Sequence, residues 1–347
     1  MKQIKKLLTL LLPLFVLTSF QRDHVITVYT IGDSTMANKD ITDDKQERGW
    51  GMVLQSYFTD EVRVENHAVN GRSSKSFINE GRWQTVLDRI KPGDYVLIQF
   101  GHNDEKANPD RHTDPGSTFD ENLSRFVRET RSKGGIPVLF NAVVRRNFFR
   151  QDGKDVDDES LRNTTFADLD EKVNSDTLID THGEYIIAPR RVAHDLHVPF
   201  VDANKITHDI EQSLGIEGSR RLHMWFKPGE HPSVPKGRKD NTHYNIYGAH
   251  VVAGMLIDEL GRQVPALTPY IRHCDISVSK DGSGHFFDLQ KAVDLAAKGL
   301  IPSPEGKGMV KGGRAITICV GPGEWSQPVM PKGKDIRLIL TQDAVMK

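Results

Sequence analysis

The chain has 347 residues, and its 46 Lys and Arg nearly balance its 47 Asp and Glu, which gives a formal net charge of -1. This balance disfavours nucleic acid as a partner, because binding to phosphates depends on a basic surface. Hydrophobic residues make up 37% and charged residues 27% of the chain, which is typical of a globular protein with one large or two smaller domains.

The N-terminus has the composition of an export signal. Three lysines precede an apolar run from Leu7 to Phe20, which is short for a membrane-spanning helix. We therefore predict a signal peptide over residues 1–22 and an exported protein, periplasmic or secreted. An uncleaved anchor is the alternative, because no clean cleavage motif of small residues follows the run. We expect no stable membrane partner for the rest of the chain, which has no other apolar run of sufficient length.

From Val25 onwards, short apolar runs alternate with amphipathic stretches. Strands are predicted over 25–31, 62–69, 94–101, 136–143 and 198–203. Helices are predicted over 52–58, 83–90, 119–135, 184–197 and 244–261. Strands that alternate with helices indicate a parallel sheet covered on both faces. We therefore predict a three-layer α/β/α domain over residues 24–262.

Two segments interrupt this alternation. Residues 150–180 are polar and acidic, which predicts an excursion over the surface. Residues 215–242 are rich in Gly and Pro and contain Trp225 and Phe226, which predicts a long loop. Long loops in compact domains usually carry function, so this one is a candidate for substrate contacts.

Polar side chains follow the first three predicted strands and precede the last helix. In chain order these are Gly32-Asp33-Ser34, Asn70-Gly71-Arg72-Ser73, Gly101-His102-Asn103-Asp104 and Asp240-Asn241-Thr242-His243. Ligands of such sheets bind beyond the carboxyl ends of the strands, so we expect these groups to meet at one edge. Each of these short segments alone is a weak signal, whereas together they supply the parts of an acyl-transfer site.

The chemistry assigns a role to each of these side chains. Ser34 is the candidate nucleophile, and His243 is the base that takes its proton. Asp240 lies three residues before His243 and is expected to fix the imidazole tautomer. The oxyanion that forms on the attacked ester needs donors already in place. We expect these to be the backbone N–H groups of Ser34 and Gly71 and the side-chain amide of Asn103.

The sequences GDSTM, NGRSSKSF, FGHND and DNTHYNIYGA resemble the four blocks of the SGNH (GDSL-type) hydrolases. They resemble the rhamnogalacturonan acetylesterase branch more closely, and RGWGMVLQSYF at 48–58 is also similar to that branch. The resemblance implies a flavodoxin-like sheet, with S, G, N and H at Ser34, Gly71, Asn103 and His243 and the acid at Asp240. It also implies hydrolysis without a metal or other cofactor, with acetylated pectic polysaccharide as the substrate.

A pectic substrate carries galacturonate carboxylates, so cations are expected near the cleft. We predict that Arg72 and Arg146 bind them, since a guanidinium can grip a carboxylate with two hydrogen bonds. Trp225 and Phe226 are predicted to stack on sugar faces. Within the hydrolases, a xylan acetylesterase or a broad esterase of small esters is the alternative. A polysaccharide-binding protein without turnover is the alternative of another class.

The segment 275–347, which follows a linker at 263–274, resembles the opening of pectin methylesterases. The KDGSG turn, a helix and two short β runs joined by GPGEW carry this resemblance, which implies the first coils of a right-handed parallel β-helix. The catalytic aspartates of that family have no counterpart here, so we expect no demethylation. We expect a truncated module or a tail that rests on the esterase domain. The only cysteines, Cys274 and Cys319, could pair or could remain buried thiols.

Overall fold

The computed structural model describes residues 25–150 and 171–347. The predicted signal peptide at 1–22 and most of the acidic segment at 150–180 lie outside the described residues. Within the described part of the chain, no helix combines the length and the apolar character that crossing a membrane requires.

A five-stranded parallel sheet forms the centre of the main domain. In chain order the strands are β1 (Ile26–Gly32), β2 (Glu47–Arg48), β3 (Val62–Asn66), β4 (Tyr95–Gln99), β5 (Ile136–Phe140), β6 (Phe200–Val201) and β7 (Tyr244–Asn245). The sheet has the order β3-β1-β4-β5-β6, and β2 pairs separately with β7 in antiparallel fashion. This is a doubly wound order in which the chain moves to opposite sides of β1, so a crevice opens at the carboxyl ends of β1 and β4.

Helices cover both faces of the sheet. In chain order the helices of the described residues are α1 (Ser74–Asn79), α2 (Arg82–Leu87), α3 (Thr118–Ser132), α4 (Glu184–Leu196), α5 (Ala203–Ser219), α6 (Ile246–Gln263) and α7 (Leu289–Ala297). Short 3₁₀ helices occupy Thr42–Asp44, Leu54–Tyr57, Arg220–Leu222 and Pro265–Tyr270.

The two faces of β4 explain why its sequence is apolar without alternation. Leu97 belongs to the core beneath α6, and its neighbours Val96 and Ile98 belong to the core beneath α3. All three side chains have no solvent exposure. Since successive side chains of a strand point to opposite faces, burial on both faces requires a continuous apolar run. The predicted three-layer arrangement is therefore confirmed.

Most predicted elements are present, and several segments differ from the prediction. The segment at 52–58 forms a 3₁₀ helix over Leu54–Tyr57 instead of an α-helix. Helices α1 and α5 were not predicted, and the last residues of α5, up to Ser219, lie in the segment that we expected to be a loop at 215–242. The apolar side chains Ile206, Ile210 and Leu214 of α5 pack on the core at a spacing of four residues. Polar residues separate them, and Gly215 has non-helical backbone angles, so the helical pattern is weak in the sequence.

The C-terminal segment (residues 275–347) has its own strands and its own core. The strands are β8 (Ile276–Val278), β9 (Leu300–Pro302), β10 (Met309–Lys311), β11 (Ala315–Val320), β12 (Gly323–Trp325), β13 (Asp335–Leu340) and β14 (Ala344–Met346). Parallel pairing gives the order β13-β11-β8 and a second pair, β12 with β14. Val293 of α7 packs with Ile318 and Trp325 in the core. These pairs do not establish a β-helix, and the outer strand β13 leaves Ile339 and Leu340 exposed.

The C-terminal segment rests on the main domain through buried contacts. Arg48 donates from Nε to the carbonyl of Gly282 at 3.3 Å. The imidazole rings of His250 and His285 stack with their centroids 3.7 Å apart. Tyr247 donates its hydroxyl to the carbonyl of Ser303 at 2.8 Å. A disulfide between Cys274 and Cys319 ties the end of the linker to β11.

Candidate active site

The structure brings Ser34, His243 and Asp240 together at the carboxyl edge of the sheet. Ser34 lies two residues after β1, and His243 directly precedes β7. The Ser34 Oγ and His243 Nε2 atoms are 2.8 Å apart, and His243 Nδ1 is 3.0 Å from Asp240 Oδ2. With Nδ1–H donated to the carboxylate, Nε2 accepts the hydroxyl hydrogen of Ser34. This is the alignment that a serine nucleophile and its general base require.

The carboxylate of Asp240 is fixed from three sides. The backbone N–H groups of Thr242 and His243 each donate to Oδ1 at 2.9 Å. The guanidinium of Arg238 forms an ion pair with Oδ2 and also donates to Glu47 Oε2 at 2.7 Å. Burial alone would lower the pKa of Arg238, but the charges of Asp240 and Glu47 raise it. Neither Arg238 nor Glu47 was assigned a role from the sequence.

The three predicted oxyanion donors line one cavity with Ser34 and His243. This cavity has a volume of about 300 Å³, and Gly71 and Asn103 contribute to its wall. Among the residues that the structure describes, no acceptor takes the backbone N–H of Ser34 or of Gly71. Gly71 has a φ of +73°, in the left-handed region that a glycine adopts without strain. The Asn103 amide donates weakly to the carbonyl of Arg72 at 3.3 Å, so it can turn to a stronger acceptor.

Two buried carboxyl groups hold the loops that carry these residues. Asp33 Oδ1 accepts hydrogen bonds from the Thr35 amide at 2.9 Å and hydroxyl at 2.8 Å, and burial raises the pKa of Asp33. Asp104 Oδ1 accepts from the Ser74 amide at 3.1 Å and the Thr113 hydroxyl at 2.9 Å. Burial raises the pKa of Asp104 to about 7. The hydrogen bonds of the two aspartates thus hold the turns after β1 and β4 in place.

His102, the neighbour of Asn103, is buried and is hydrogen-bonded to His182, not to Ser34. Its Nδ1 lies 2.9 Å from His182 Nε2, and His182 Nδ1 lies 2.9 Å from Asp180 Oδ1. Burial and the nearby His182 lower the pKa of His102 well below its ordinary value. A neutral imidazole in such a chain positions the turn that presents Asn103.

The buried position of Arg146 contradicts the predicted role of this residue in substrate binding. Its side chain has no solvent exposure, and its Nε donates to Ser219 Oγ at 2.8 Å. The guanidinium also forms an ion pair with Glu171 and donates to Asn241 Oδ1 at 3.0 Å. With its donors bonded inside the protein, Arg146 joins α5 to the loop before His243. It cannot meet a substrate carboxylate in this arrangement.

The other predicted substrate contacts also lie outside the cavity wall, as far as the described residues show. Arg72 donates from Nε to both carboxylate oxygens of Glu80, at 3.0 and 3.2 Å. Trp225 donates its indole N–H to Asn241 Oδ1 at 2.8 Å, and Arg146 and Arg220 lie against its ring. Phe226 packs against His231, with ring centroids 5.8 Å apart. Internal partners account for all three side chains.

The wall of the cavity is instead rich in cations that the sequence did not single out. These are Lys39, Lys106, Arg111, Arg145 and Arg238, with Glu47 as the acidic residue among them. Arg145 is the sequence neighbour of Arg146, and its Nη1 donates to Thr181 Oγ1 at 2.9 Å. A polar cavity with several cations suits a negatively charged substrate. Across residues 25–150 and 171–347, no group of three His, Cys, Asp or Glu side chains is placed to hold a metal ion.

Comparisons with known proteins agree with this geometry. The chain matches the model of the GDSL-like lipase/acylhydrolase family over residues 30–245. The chain belongs to that family. It is 37% identical over 263 residues to the rhamnogalacturonan acetylesterase RhgT of Bacillus subtilis strain 168, covering 75% of this chain and 97% of the relative. It is 31% identical over 241 residues to the probable rhamnogalacturonan acetylesterase YesY of the same strain, covering 67% and 93%.

A solved structure shares the fold as well. The crystal structure of YxiM from Bacillus subtilis superposes with a TM-score of 0.52 at 26% identity and covers 69% of this chain and 56% of that one. The family match and the acetylesterase relatives show that the chain is a carboxylic ester hydrolase. The family match ends at residue 245, and the resemblance of residues 275–347 to pectin methylesterases finds no support in these comparisons.

Proposed function

We propose that this enzyme removes O-acetyl groups from rhamnogalacturonan through an acyl-enzyme intermediate on Ser34. The observation that carries the proposal is the hydrogen-bonded line from Ser34 through His243 to Asp240 at the wall of a cationic cavity. The 37% identity to a rhamnogalacturonan acetylesterase over nearly its whole length supports the choice of substrate.

The reaction follows from the arrangement of these groups. Ser34 Oγ attacks the acetyl carbonyl while His243 Nε2 takes its proton, and the ester oxygen leaves as a sugar hydroxyl that receives this proton. A water molecule then attacks the acetyl-serine with His243 again as the base, which releases acetate and restores the Ser34 hydroxyl. The carbonyl oxygen becomes an anion in both steps. Ser34 N–H, Gly71 N–H and the Asn103 amide supply donors for it, each worth roughly 10²–10³ in rate.

The ionic state of the cavity supports an acidic saccharide as the substrate. Burial alone would raise the pKa of Glu47, but it is lowered to about 2, with the charges of Lys39 and Arg238 among the causes. Glu47 is therefore ionised at neutral pH, and the cations still outnumber it in the cavity wall. A galacturonate carboxylate would enter a region of favourable potential, whereas a neutral xylan chain would gain nothing from it.

We also propose that the enzyme is exported, which its basic and then apolar N-terminus supports. The disulfide between Cys274 and Cys319 fits an oxidising compartment. For the C-terminal segment, we propose kinship with the opening of pectin methylesterases. The KDGSG turn and the parallel pairs β11–β13 and β12–β14 support this kinship.

Acetate release from acetylated rhamnogalacturonan and from acetylated xylan tests the proposal directly. The enzyme should deacetylate the pectic polymer with a clearly higher kcat/KM, and the Ser34→Ala protein should release no acetate from either. A preference for xylan would replace the pectic assignment by a xylan acetylesterase. Equal and low rates on both polymers, with fast hydrolysis of p-nitrophenyl acetate, would indicate a broad esterase of small esters. Binding of the pectic polymer without turnover of any ester would indicate a binding protein.

A further inference from the structure

Most of the cations in the cavity wall already have partners within the protein. Ion pairs join Lys39 to Glu47, Arg145 to Glu105, and Arg238 to Glu47 and Asp240. Lys106 also has an interaction partner within the protein. A guanidinium or ammonium that is paired with a carboxylate attracts a negatively charged substrate less strongly, because the partner cancels much of its field. The exception among the described cavity residues is Arg111.

Arg111 lies between the two oxyanion donors that come from different loops. A Cβ placed on Gly71 would be 3.6 Å from Arg111 Nη2, so the guanidinium lies against the backbone of Gly71. Nη1 donates to Asn103 Oδ1 at 3.5 Å, which is a long hydrogen bond. Within residues 25–150 and 171–347, no carboxylate forms an ion pair with this half-buried side chain. Several of its five N–H donors thus remain available beside Ser34.

The loop that carries Arg111 is held in place before any substrate arrives. The Arg111 amide donates to the carbonyl of Asn108 at 2.9 Å, and the Asp110 amide donates to Asn108 Oδ1 at 2.9 Å. Lys75 Nζ reaches the carbonyl of Pro109 at 2.7 Å and ties the loop to α1. A preformed loop loses little conformational entropy on binding, so a contact to Arg111 would contribute most of its energy to affinity.

We propose that Arg111 binds a uronate carboxylate of the polymer, on or beside the acetylated sugar, and sets the enzyme's preference for acidic substrates. A guanidinium matches a carboxylate with two parallel hydrogen bonds, and a site next to the oxyanion donors fixes the acetyl group at Ser34. The inference rests on the proposed function. It assigns to Arg111 the role that the sequence had predicted for Arg72 and Arg146.

The test compares two substrates that differ only in charge. An acetylated galacturonate oligosaccharide and its carboxyl-reduced counterpart are offered to the wild type, Arg111→Gln and Arg111→Lys. Arg111→Gln should lower kcat/KM on the uronate substrate by about 10- to 100-fold, mainly through KM, because it loses charge-assisted hydrogen bonds. It should leave kcat/KM on the reduced substrate nearly unchanged. Arg111→Lys should retain part of the preference, since it keeps the charge without the fork.

Arg82→Gln is the matched control, because Arg82 is paired with Glu80 and is not among the residues lining the cavity. It should keep the wild-type preference. If Arg111→Gln lowered kcat on both substrates equally, Arg111 would only orient Asn103 and the inference would be overturned. An unchanged preference in Arg111→Gln would overturn it as well. If the wild type itself released no acetate from the uronate substrate yet hydrolysed p-nitrophenyl acetate, the proposed function would fail first.

Discussion

The catalytic edge and the contact between the main domain and the C-terminal segment are both built from histidine and arginine side chains. At the catalytic edge, His243 lies between the Ser34 hydroxyl and the Asp240 carboxylate. At the contact, His250 and His285 stack on each other, and burial lowers the pKa of His285 to about 3. His243 can act as a base because it contacts a carboxylate and a cavity. His250 and His285 contact each other's rings and therefore contribute to packing.

The arginines of the two regions differ in the same way. Arg238 is held between the carboxylates of Glu47 and Asp240, which raise its pKa against the effect of burial. Arg48 donates from Nη1 to the carbonyls of Lys45 and Glu47 at 2.7 Å, and burial lowers its pKa to about 10. At the catalytic edge the arginine is paired with carboxylates, whereas at the contact the arginine donates to neutral backbone carbonyls. Substitutions at the edge should therefore change activity, and those at the contact should change stability.

Replacement of Ser34 by Ala should give the largest effect and should separate the two regions most clearly. The Ser34 side chain has one hydrogen bond in the structure, to His243 Nε2. Its loss should lower kcat on p-nitrophenyl acetate by about 10³- to 10⁶-fold, since nucleophile and base act as a unit. The melting temperature should remain that of the wild type, because no contact of the C-terminal segment is touched. Hydrolysis at the wild-type rate by Ser34→Ala would refute the role of the triad.

Replacement of Arg146 by Ala should act on stability instead of on substrate binding. Removing one partner of a buried ion pair typically costs about 3–5 kcal/mol in the free energy of unfolding. Glu171 would keep its pair with Arg220, so the lower end of this range is expected. Chemical denaturation measures the loss, and KM on uronate and neutral substrates should change by the same factor. A selective rise in KM on the uronate substrate would restore the binding role first predicted for Arg146.

The sheet and the polar groups at its carboxyl edge could be predicted from the sequence. Buried parallel strands are continuous apolar runs, and the polar residues after β1, β3 and β4 follow directly from the ends of those runs. Positions one residue apart were harder to assign. Arg145 lines the cavity and Arg146 lies in the interior, because neighbouring side chains of extended backbone point in opposite directions. The sequence contains both arginines and does not say which one faces inward.

Contacts between segments that are distant in the sequence could not be predicted either. Arg238 and Glu47 are 191 positions apart, and they meet because β2 pairs with β7 next to His243. No periodicity or spacing reports such a pairing. Arg111 likewise lies in a turn after the FGHND block, and only the fold places its guanidinium against Gly71.

Loss of the disulfide should weaken the contact and leave the catalytic edge intact. The bond between Cys274 and Cys319 closes a separation of 45 residues, and a disulfide of this span typically contributes about 2–4 kcal/mol. Cys274→Ser, combined with Cys319→Ser to avoid a free thiol, should lower the melting temperature by several degrees. Neither cysteine is among the residues that line the catalytic cavity, so kcat/KM on acetylated substrates should stay within about twofold. A fall in kcat/KM of tenfold or more would show that the two regions are coupled.

Asp104 should produce the smallest effect, visible only as a dependence of stability on pH. Burial raises the pKa of its carboxyl to about 7 in the folded protein, whereas an aspartate of the unfolded chain titrates near about 3.9. Between these values the folded state keeps a proton that the unfolded state releases. The free energy of unfolding contributed by Asp104 therefore falls as pH rises from about 4 to about 7.

Asp104→Asn removes this titration and keeps an oxygen that can accept from Ser74 and Thr113. Relative to the wild type, the variant should become more stable as pH rises from 5 to 8, by about 1 kcal/mol or more over that window. Thermal unfolding across this window measures the difference. The exposed carboxylate of Asp343, which has no ion pair within the described residues, is the control, and Asp343→Asn should run parallel to the wild type. A constant difference between Asp104→Asn and the wild type would mean that Asp104 is already ionised at pH 5.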